Sequence, residues 1–501
     1  MSDILFSLKK VMNLKRPFLR VFLDILLALH GSIVISFVVP WSEVFSTSLP
    51  SGGDNPAHPV LMKSIGNAFF EHFSVVHYSW DFWSGFEAFQ FYFPLPYLSG
   101  AILGRIIGDN IAFKLTTLFG LLAFPPALYI MTRLLGMTRV AGACASILAV
   151  SFLFTDAHVM WGGNVSSTLA GMIGNSWSFV FLVVAIGGLY RARIENEFSL
   201  FTLLCCIAAA LCHFYAFLML LIMSAIFMAE DLVAVFRKKF QLSNSYVFYL
   251  TLICFGLCLA WWFMPLFAYR RWSTDFGGTW DVKLLETLLL NEKWIFASAF
   301  LISIGACLYF RKGSAHIMRF FAFFIIFFCL FFIGEKFNST ITVNIRLWPS
   351  IYLSLFLITI ATFDFISKRI PLPLSILLLA FTLLLIPSQS AFDKAHSWMQ
   401  WNYSGVEAKP GAGDFWRIVK ILSTEPKSKV SFESSPPNNT FIGSIRSLEV
   451  LPAFTGQTLV EGGIVNSATF PGIGYSLQCL MSHSCAGWPN GSSMPHHDVE
   501  R

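Results

Sequence analysis

Long apolar runs recur along most of this chain, and they restrict its possible folds more than any other feature. A helix that crosses a membrane needs about 20 mostly apolar residues. Only 12% of the 501 residues are charged, whereas soluble proteins carry about 25%. We therefore predict an all-α polytopic membrane protein with about eleven transmembrane helices. The predicted spans are residues 20–41, 112–132, 140–155, 170–190, 198–212, 215–234, 246–268, 294–310, 316–334, 346–366 and 372–388.

Basic residues predict how these spans are oriented, because cytoplasmic turns carry an excess of Lys and Arg. The start LKKVMNLKRPFLR leads into the first span without a small-residue cleavage site, which predicts a cytoplasmic N-terminus. The loops on the other side, including the long first loop 42–111, are then extracytoplasmic. The net charge of +6 needs no nucleic-acid partner. The predicted cytoplasmic turns are 133–139, 191–193, 237–239, 311–312 and 368–369.

One apolar stretch, FPLPYLSGAILGRIIG at 93–108, is short and begins with two prolines. If it crossed the membrane, every later basic turn would lie outside. We therefore predict an interfacial or re-entrant segment, which is permitted where protein covers the backbone. The preceding stretch, MKSIGNAFFEHF, is predicted to lie flat on the membrane.

The chain changes character near residue 388, which predicts a transmembrane domain over 1–388 and an extracytoplasmic domain over 389–501. In the second domain, FWRIVKIL, SLEVLPAF and TLVEGGIV predict one small α/β unit. The polar tail that follows is typical of a truncated version of a longer architecture. Cys479 and Cys485 lie in this region, where a disulfide is possible if the environment is oxidising.

The first loop begins with SGGDNPAHP, which contains Asp54 and His58. A carboxylate at this position can accept a proton from an attacking hydroxyl or hold a divalent cation. The alternative is an Asx turn in which Asp54 caps a helix. The loop ends in an aromatic and proline-rich run, and we predict that Trp80, Trp83 and Tyr92 form a ledge at the lipid–water boundary.

Two later segments add candidate polar residues. In FTDAHVMWGGN, Asp156 and His158 are predicted to join Asp54 around a metal or a substrate, or else to form a polar span end. Arg346 stands at the mouth of an apolar span, where an unpaired charge is costly. With Lys336 it is predicted to clamp a phosphate. The alternative is a side chain that snorkels to the interface.

GGDNPAH, followed by a Trp–Gly segment and FYFPLPY, resembles the first-loop pattern of the GT-C superfamily of membrane glycosyltransferases. The pattern is most similar to that of the bacterial membrane proteins labelled 6-pyruvoyl-tetrahydropterin synthase-related. NYSG at 402–405 and IRSLEVLPAFTGQTLVEGG at 445–463 resemble later regions of the same set. The first-loop residues that match are Asp54, His58, Trp83, Gly85, Phe91, Tyr92, Pro94 and Pro96.

The resemblance implies a GT-C-like fold and transfer of a sugar from a polyprenyl-phosphate donor at the outer face of the plasma membrane. By it, Asp54 is the catalytic base or a metal ligand, with His58 beside it. Asp156 stands where some members keep a second acid, and Arg346 meets the donor phosphate. The second loop has no paired DxD or ExD motif, so a divalent metal on Asp54 and Asp156 stays an open expectation.

Two other classes of function stay open. A non-catalytic membrane scaffold would use the outer domain for binding only. A transporter or flippase would place charges within its spans and show two related halves, and the sequence shows little of either. The enzyme hypothesis requires Asp54, Asp156 and Arg346 to converge on one lipid-accessible cavity.

Overall fold

The computed structural model describes residues 17–155, 159, 161–238, 245–269, 315–336, 344–371, 373–375, 387–433 and 437–462. Most of these residues are helical. The helices are α1 (Pro17–Ser36), α2 (Trp41–Val44), α3 (Ala57–His72), α4 (Leu95–Ile107), α5 (Asp109–Leu134), α6 (Arg139–Leu153), α7 (Val165–Leu169), α8 (Ile173–Glu195), α9 (Leu200–Cys212), α10 (Phe214–Phe236), α11 (Tyr246–Tyr269), α12 (Ala315–Lys336), α13 (Trp348–Ser367), α14 (Gln389–Tyr403), α15 (Ala412–Thr424), α16 (Asn438–Phe441) and α17 (Leu451–Thr455). The strands are β1 (His77–Ser79), β2 (Phe86–Ala88), β3 (Lys429–Val430) and β4 (Thr458–Leu459), and 3-10 turns cover Asn344–Leu347, Val406–Ala408 and Ser447–Val450.

Seven helices of the described ranges are long and apolar enough to cross a membrane: α1, α5, α8, α10, α11, α12 and the turn-plus-helix Asn344–Ser367. Each overlaps one predicted span, which confirms a polytopic helical chain. The predicted spans 140–155 and 198–212 form the shorter apolar helices α6 and α9. The span 294–310 and most of 372–388 lie outside the described residues, so the total of eleven stays a prediction.

Helices α5 and α8 form the centre of the bundle, and both are mostly buried. They pack closely because small residues face each other where they meet. A Cβ atom added to Gly120 of α5 would lie 2.6 Å from the backbone of Ser176 in α8. Small residues at helix contacts let backbones approach, which is how apolar helices gain packing energy in a lipid environment.

One end of the bundle, which we call the basic end, contains the turns 133–139, 191–193 and 368–369. Three of its arginines pair with acids from other helices. Arg193 of α8 contacts Asp231 of α10 at 2.5 Å, and Arg319 of α12 contacts Glu230 of α10 at 2.7 Å. Arg139 of α6 contacts Asp24 of α1 at 2.8 Å. These pairs connect neighbouring helices of the bundle.

The opposite end, which we call the loop end, contains residues 37–108, 161–172, 344–347 and 389–462. Strands β1 and β2 pair antiparallel there, with His77 opposite Ala88. The apolar stretch 93–108 forms α4, whose 13 residues are fewer than the roughly 20 that a membrane span needs. It packs beside α3, and both helices leave aromatic or aliphatic side chains exposed, including Phe70 and Ile106.

The described C-terminal residues do not form a separate core. Buried side chains of residues 406–459 and of the first loop belong to one hydrophobic cluster, which joins Phe82 and Phe86 to Phe415, Val450 and Leu459. The predicted α/β unit is mostly helical in its described part. FWRIVKIL lies in α15, and the strands contribute a single two-residue parallel pair. The domain boundary at 388 stays a prediction.

Candidate functional site

The SGGDN loop is held in place by segments that are distant in sequence. The Asp54 amide donates to the carbonyl of Ala170 at 2.9 Å, and the Ser51 amide donates to the carbonyl of Asn402 at 3.0 Å. The Asn55 side chain donates to the carbonyl of Leu169 at 2.9 Å. Because the second loop and α14 both bind it, this turn is a fixed platform for the Asp54 side chain.

Asp54 does not cap a helix through its side chain. The residue at the N-cap of α3 is Pro56, and no side chain caps this end by a hydrogen bond. The carboxylate instead pairs with Arg446, with 3.1 Å between Oδ1 and Nε, and 44% of the Asp54 side chain stays exposed. Arg446 also donates to Glu449 at 2.8 Å. Sequence reasoning did not assign Arg446 to the site, although it lies in the quoted stretch 445–463.

Gly171 packs directly against Asp54 and His58. Its φ of +120° is one that only glycine adopts readily. A Cβ atom at this position would lie 2.7 Å from Cβ of Asp54 and 2.9 Å from Nε2 of His58. The second loop therefore contributes close backbone contact to the site.

His58 is buried behind Asp54, with 2% of its surface exposed. Its Nδ1 lies 2.7 Å from the hydroxyl of Tyr97, which in turn lies 3.4 Å from the hydroxyl of Tyr92. Burial lowers the pKa of His58 to about 4, although the negative charge of Asp54 acts in the other direction. The imidazole is therefore neutral at pH 7. It forms a hydrogen-bonded row with Tyr97 and Tyr92, within electrostatic range of Asp54.

Arg346 is within electrostatic range of Tyr92. It belongs to the 3-10 turn before α13 and is half-buried. Burial raises the pKa of Tyr92, and Asp54 raises it further, whereas the hydrogen bond with Tyr97 and the positive charge of Arg346 lower it. Asp54 and Arg346 thus act on the same hydroxyl with opposite charges, and they also act on each other.

No Asp or Glu of the described residues forms an ion pair with Arg346. The hydroxyl groups of Tyr215 and Tyr92 act on it electrostatically, as does the carboxylate of Asp54. A half-buried cation without a direct ion pair is costly unless an anion joins it. The surroundings of Arg346 are therefore suited to an anionic ligand.

The predicted aromatic ledge is divided between surface and interior. Trp80 is exposed and packs edge-on against Tyr78, with 5.0 Å between ring centroids. Trp83 is buried in the core of the first loop, where its backbone has a φ of +58°. Tyr92 points inward, toward Tyr97. Only Trp80 among these three is placed to meet a lipid or a substrate at the surface.

Some predicted residues cannot be placed. Asp156 and His158 lie outside the described residues, as do Cys479 and Cys485. Lys336 is the last residue of α12, and the structure describes its backbone but not its side chain. Within the described ranges, no three His, Cys, Asp or Glu side chains are grouped as metal ligands. The predicted roles of all these residues stay predictions.

Comparison with known proteins gives one family and two similar structures. None of the curated proteins matches this chain in sequence. An oligosaccharyltransferase from Archaeoglobus fulgidus, solved tethered to an acceptor peptide, is 12% identical with a TM-score of 0.49. The match covers 91% of this chain and 65% of the archaeal protein, which is less than two thirds. The archaeal oligosaccharyltransferase AglB from the same organism, in complex with an inhibitory peptide and a dolichol-phosphate, is 12% identical with a TM-score of 0.48, and the match covers 88% of this chain and 65% of AglB.

These two likenesses are too low to decide the fold or the activity of this chain. The family match is decisive. The model of the 6-pyruvoyl-tetrahydropterin synthase related domain, described as a membrane protein, matches residues 89–398, which is more than half of the chain. This range contains α4 to α13 and the positions of Tyr92 and Arg346. The chain belongs to the 6-pyruvoyl-tetrahydropterin synthase related family of membrane proteins.

Proposed function

We propose that this chain transfers a sugar from a lipid-phosphate-linked donor to an acceptor, as an inverting GT-C-type glycosyltransferase. The supporting observation is that the carboxylate of Asp54 and the guanidinium of Arg346 both act on Tyr92 at the loop end of the helical bundle. Among the described residues, Arg346 has no acidic partner in an ion pair. The loop end faces the outside of the plasma membrane, since the turns rich in Lys and Arg lie at the other end.

Asp54 is the general base in this reaction. Arg446 contacts Oδ1, and 44% of the Asp54 side chain is exposed, so an acceptor hydroxyl can reach the carboxylate. As the hydroxyl oxygen forms its bond to the anomeric carbon, its proton passes to Asp54. The bond between that carbon and the phosphate oxygen breaks, and its electron pair stays on the departing phosphate. A base placed in this way contributes roughly 100-fold to 10,000-fold to the rate.

Arg346 binds the donor phosphate. Charge develops on the leaving oxygen in the transition state, and a cation already in place stabilises it without reorganisation. The guanidinium is suited to this role because it binds phosphate oxygens in a bidentate way. The long lipid chain of the donor would remain in the membrane beside α10 and α13, the helices that begin next to Tyr215 and Arg346.

A membrane binding protein without catalysis is the second candidate. The observation that favours it is the ion pair between Asp54 and Arg446, which engages the one carboxylate assigned as a base. In that case the site around Arg346 would bind the same lipid phosphate, and no sugar would be transferred.

The test is transfer by the purified full chain in lipid nanodiscs. Undecaprenyl phosphate that carries a radiolabelled hexose would be offered with lipid and glycan acceptors. We expect Asp54→Asn to lower transfer roughly 100-fold or more, because the base is lost, and to leave binding of undecaprenyl phosphate unchanged. Glu71→Gln is the control, since it removes an exposed carboxylate on the same loop. Full activity in Asp54→Asn would contradict the base assignment, and absence of transfer with retained binding would favour the second candidate.

A further inference from the structure

Three charged residues of the stretch 445–463 form a chain of contacts that ends at Asp54. Arg446 Nε lies 3.1 Å from Oδ1 of Asp54, and Arg446 Nη1 lies 2.8 Å from Oε1 of Glu449. Glu461 is close enough to Glu449 for the two carboxyl groups to repel each other. The proposed reaction gives no role to Arg446, Glu449 or Glu461.

Arg446, Glu449 and Glu461 are more buried than charged residues usually are. Glu449 and Glu461 are each 1% exposed. Neither oxygen of Glu461 accepts a hydrogen bond of ordinary geometry from the described residues. Burial, followed by the charge of Glu449, raises the pKa of Glu461 to about 8, so its carboxyl is neutral at pH 7. Glu449 is the carboxyl that accepts a hydrogen bond from Arg446. Buried ion pairs seldom add net stability, so their presence here suggests a function.

The backbone around Arg446 is attached to the same loop as its side chain. The Ser444 hydroxyl donates to the carbonyl of Gly53 at 2.6 Å, and the Arg446 amide donates to the Ser444 hydroxyl at 3.1 Å. Gly443 packs against Ser51, since a Cβ atom added to it would lie 2.8 Å from that side chain. The segment 443–446 therefore contacts two residues that precede Asp54, Ser51 and Gly53, as well as the Asp54 carboxylate.

We propose that Arg446 is the positioning residue of the Asp54 site, and that the segment 443–461 is part of this active site. This inference rests on the proposed function. By holding Oδ1, Arg446 directs Oδ2 toward the acceptor hydroxyl. Glu449 holds Arg446 from behind, and only 14% of the Arg446 side chain is exposed. This enclosure is suited to a fixed support and not to a latch that leaves the site in each cycle.

The first experiment compares Arg446→Gln and Arg446→Lys with the wild type in the transfer assay with undecaprenyl-phosphate hexose. A misplaced catalytic group costs up to about 100-fold, so we expect Arg446→Gln to lower kcat about 10-fold to 100-fold. KM for the donor should stay unchanged, and Arg446→Lys should recover part of kcat because it keeps the charge. Arg417→Gln is the control, since Arg417 is an exposed cation of α15, outside the segment 443–461. Wild-type kcat in Arg446→Gln would overturn the inference and leave the proposed function intact.

The second experiment needs no substrate. The melting temperature in detergent is measured for the wild type, Asp54→Asn, Arg446→Gln and the double variant. If Arg446 acts through Asp54, its substitution should lower the melting temperature more in the wild type than in Asp54→Asn. The loss that remains in Asp54→Asn is that of the bond from Arg446 to Glu449. Additive effects would overturn the inference at any level of activity. If the wild type transfers no sugar from any donor, the proposed function fails and the positioning role fails with it, whereas the cycle still shows whether the ion pair exists.

Discussion

At the scale of the residue, the sequence identifies half of the Asp54 site. An acid after two glycines, with a histidine four positions later, is visible in SGGDNPAHP. The partner of Asp54 is not visible, because Arg446 lies near the other end of the described chain and no local pattern joins the two. The burial of His58 is also hidden, since it depends on Tyr97 and Gly171, which the fold brings to it.

Glu461 gives a prediction for the dependence of stability on pH. Its pKa is raised to about 8 in the folded protein, whereas a glutamate in an unfolded chain titrates near 4.3, so the folded state binds more protons between about pH 4.5 and 8. The free energy of unfolding should therefore fall as the pH rises through this window. Above this pH window Glu461 is ionised in both states, and the burial of its charge lowers the free energy of unfolding by its full amount.

The measurement is the melting temperature of the wild type and of Glu461→Gln at about pH 5 and about pH 8.5. The variant cannot ionise at this position, so it should be more stable than the wild type at the higher pH and should lose most of that advantage at the lower pH. Glu71→Gln serves as the exposed control. An equal difference between wild type and Glu461→Gln at both pH values would contradict the raised pKa.

At the scale of the element, the second loop, which contains FTDAHVMWGGN, supports the Asp54 site in a way that its sequence did not indicate. The sequence prediction for this loop relied on Asp156 and His158, which both lie outside the described residues. The described part of the loop instead supports Asp54 through the carbonyl of Ala170 and the bare backbone of Gly171. Backbone support of this kind is difficult to predict from a sequence, because glycine occurs in polar loops for several different structural reasons.

Gly171→Ala tests this support. The new methyl group would collide with Asp54 and His58, and its positive φ would cost a non-glycine residue about 1–3 kcal/mol. We expect a lower melting temperature and a clear loss of any Asp54-dependent activity. Gly413→Ala in α15 is the matched control, since no atom lies within 4 Å of a Cβ atom there. If the two variants behaved alike, the second loop would not support the Asp54 site.

At the scale of the whole molecule, hydrophobic length predicts most of what is observed. Seven predicted spans correspond to helices long enough to cross a membrane, because runs of apolar residues this long can satisfy their backbone only as helices. The same reasoning separates the 13-residue helix α4 from the spans. The shared core of the first loop and residues 406–459 was not predictable, because it is built from contacts between distant short segments.

The proposed function depends on one site at the loop end, where the charges of Arg346 and Asp54 both act on Tyr92. In the proposed function, Arg346 binds the phosphate group of a lipid that enters the site from the membrane. Arg105 offers a matched comparison, because it is an exposed arginine of α4 at the same end, stacked over Phe70. It would contribute only the general attraction of a basic surface for anionic lipid.

The most direct test is the affinity of the purified full chain for undecaprenyl phosphate, measured by native mass spectrometry for the wild type, Arg346→Gln and Arg105→Gln. A charged hydrogen bond is worth about 1.5–3 kcal/mol, so Arg346→Gln should weaken binding about 10-fold or more. Arg105→Gln should bind as the wild type does. Equal affinity in Arg346→Gln and the wild type would contradict the phosphate site, and with it the proposed function.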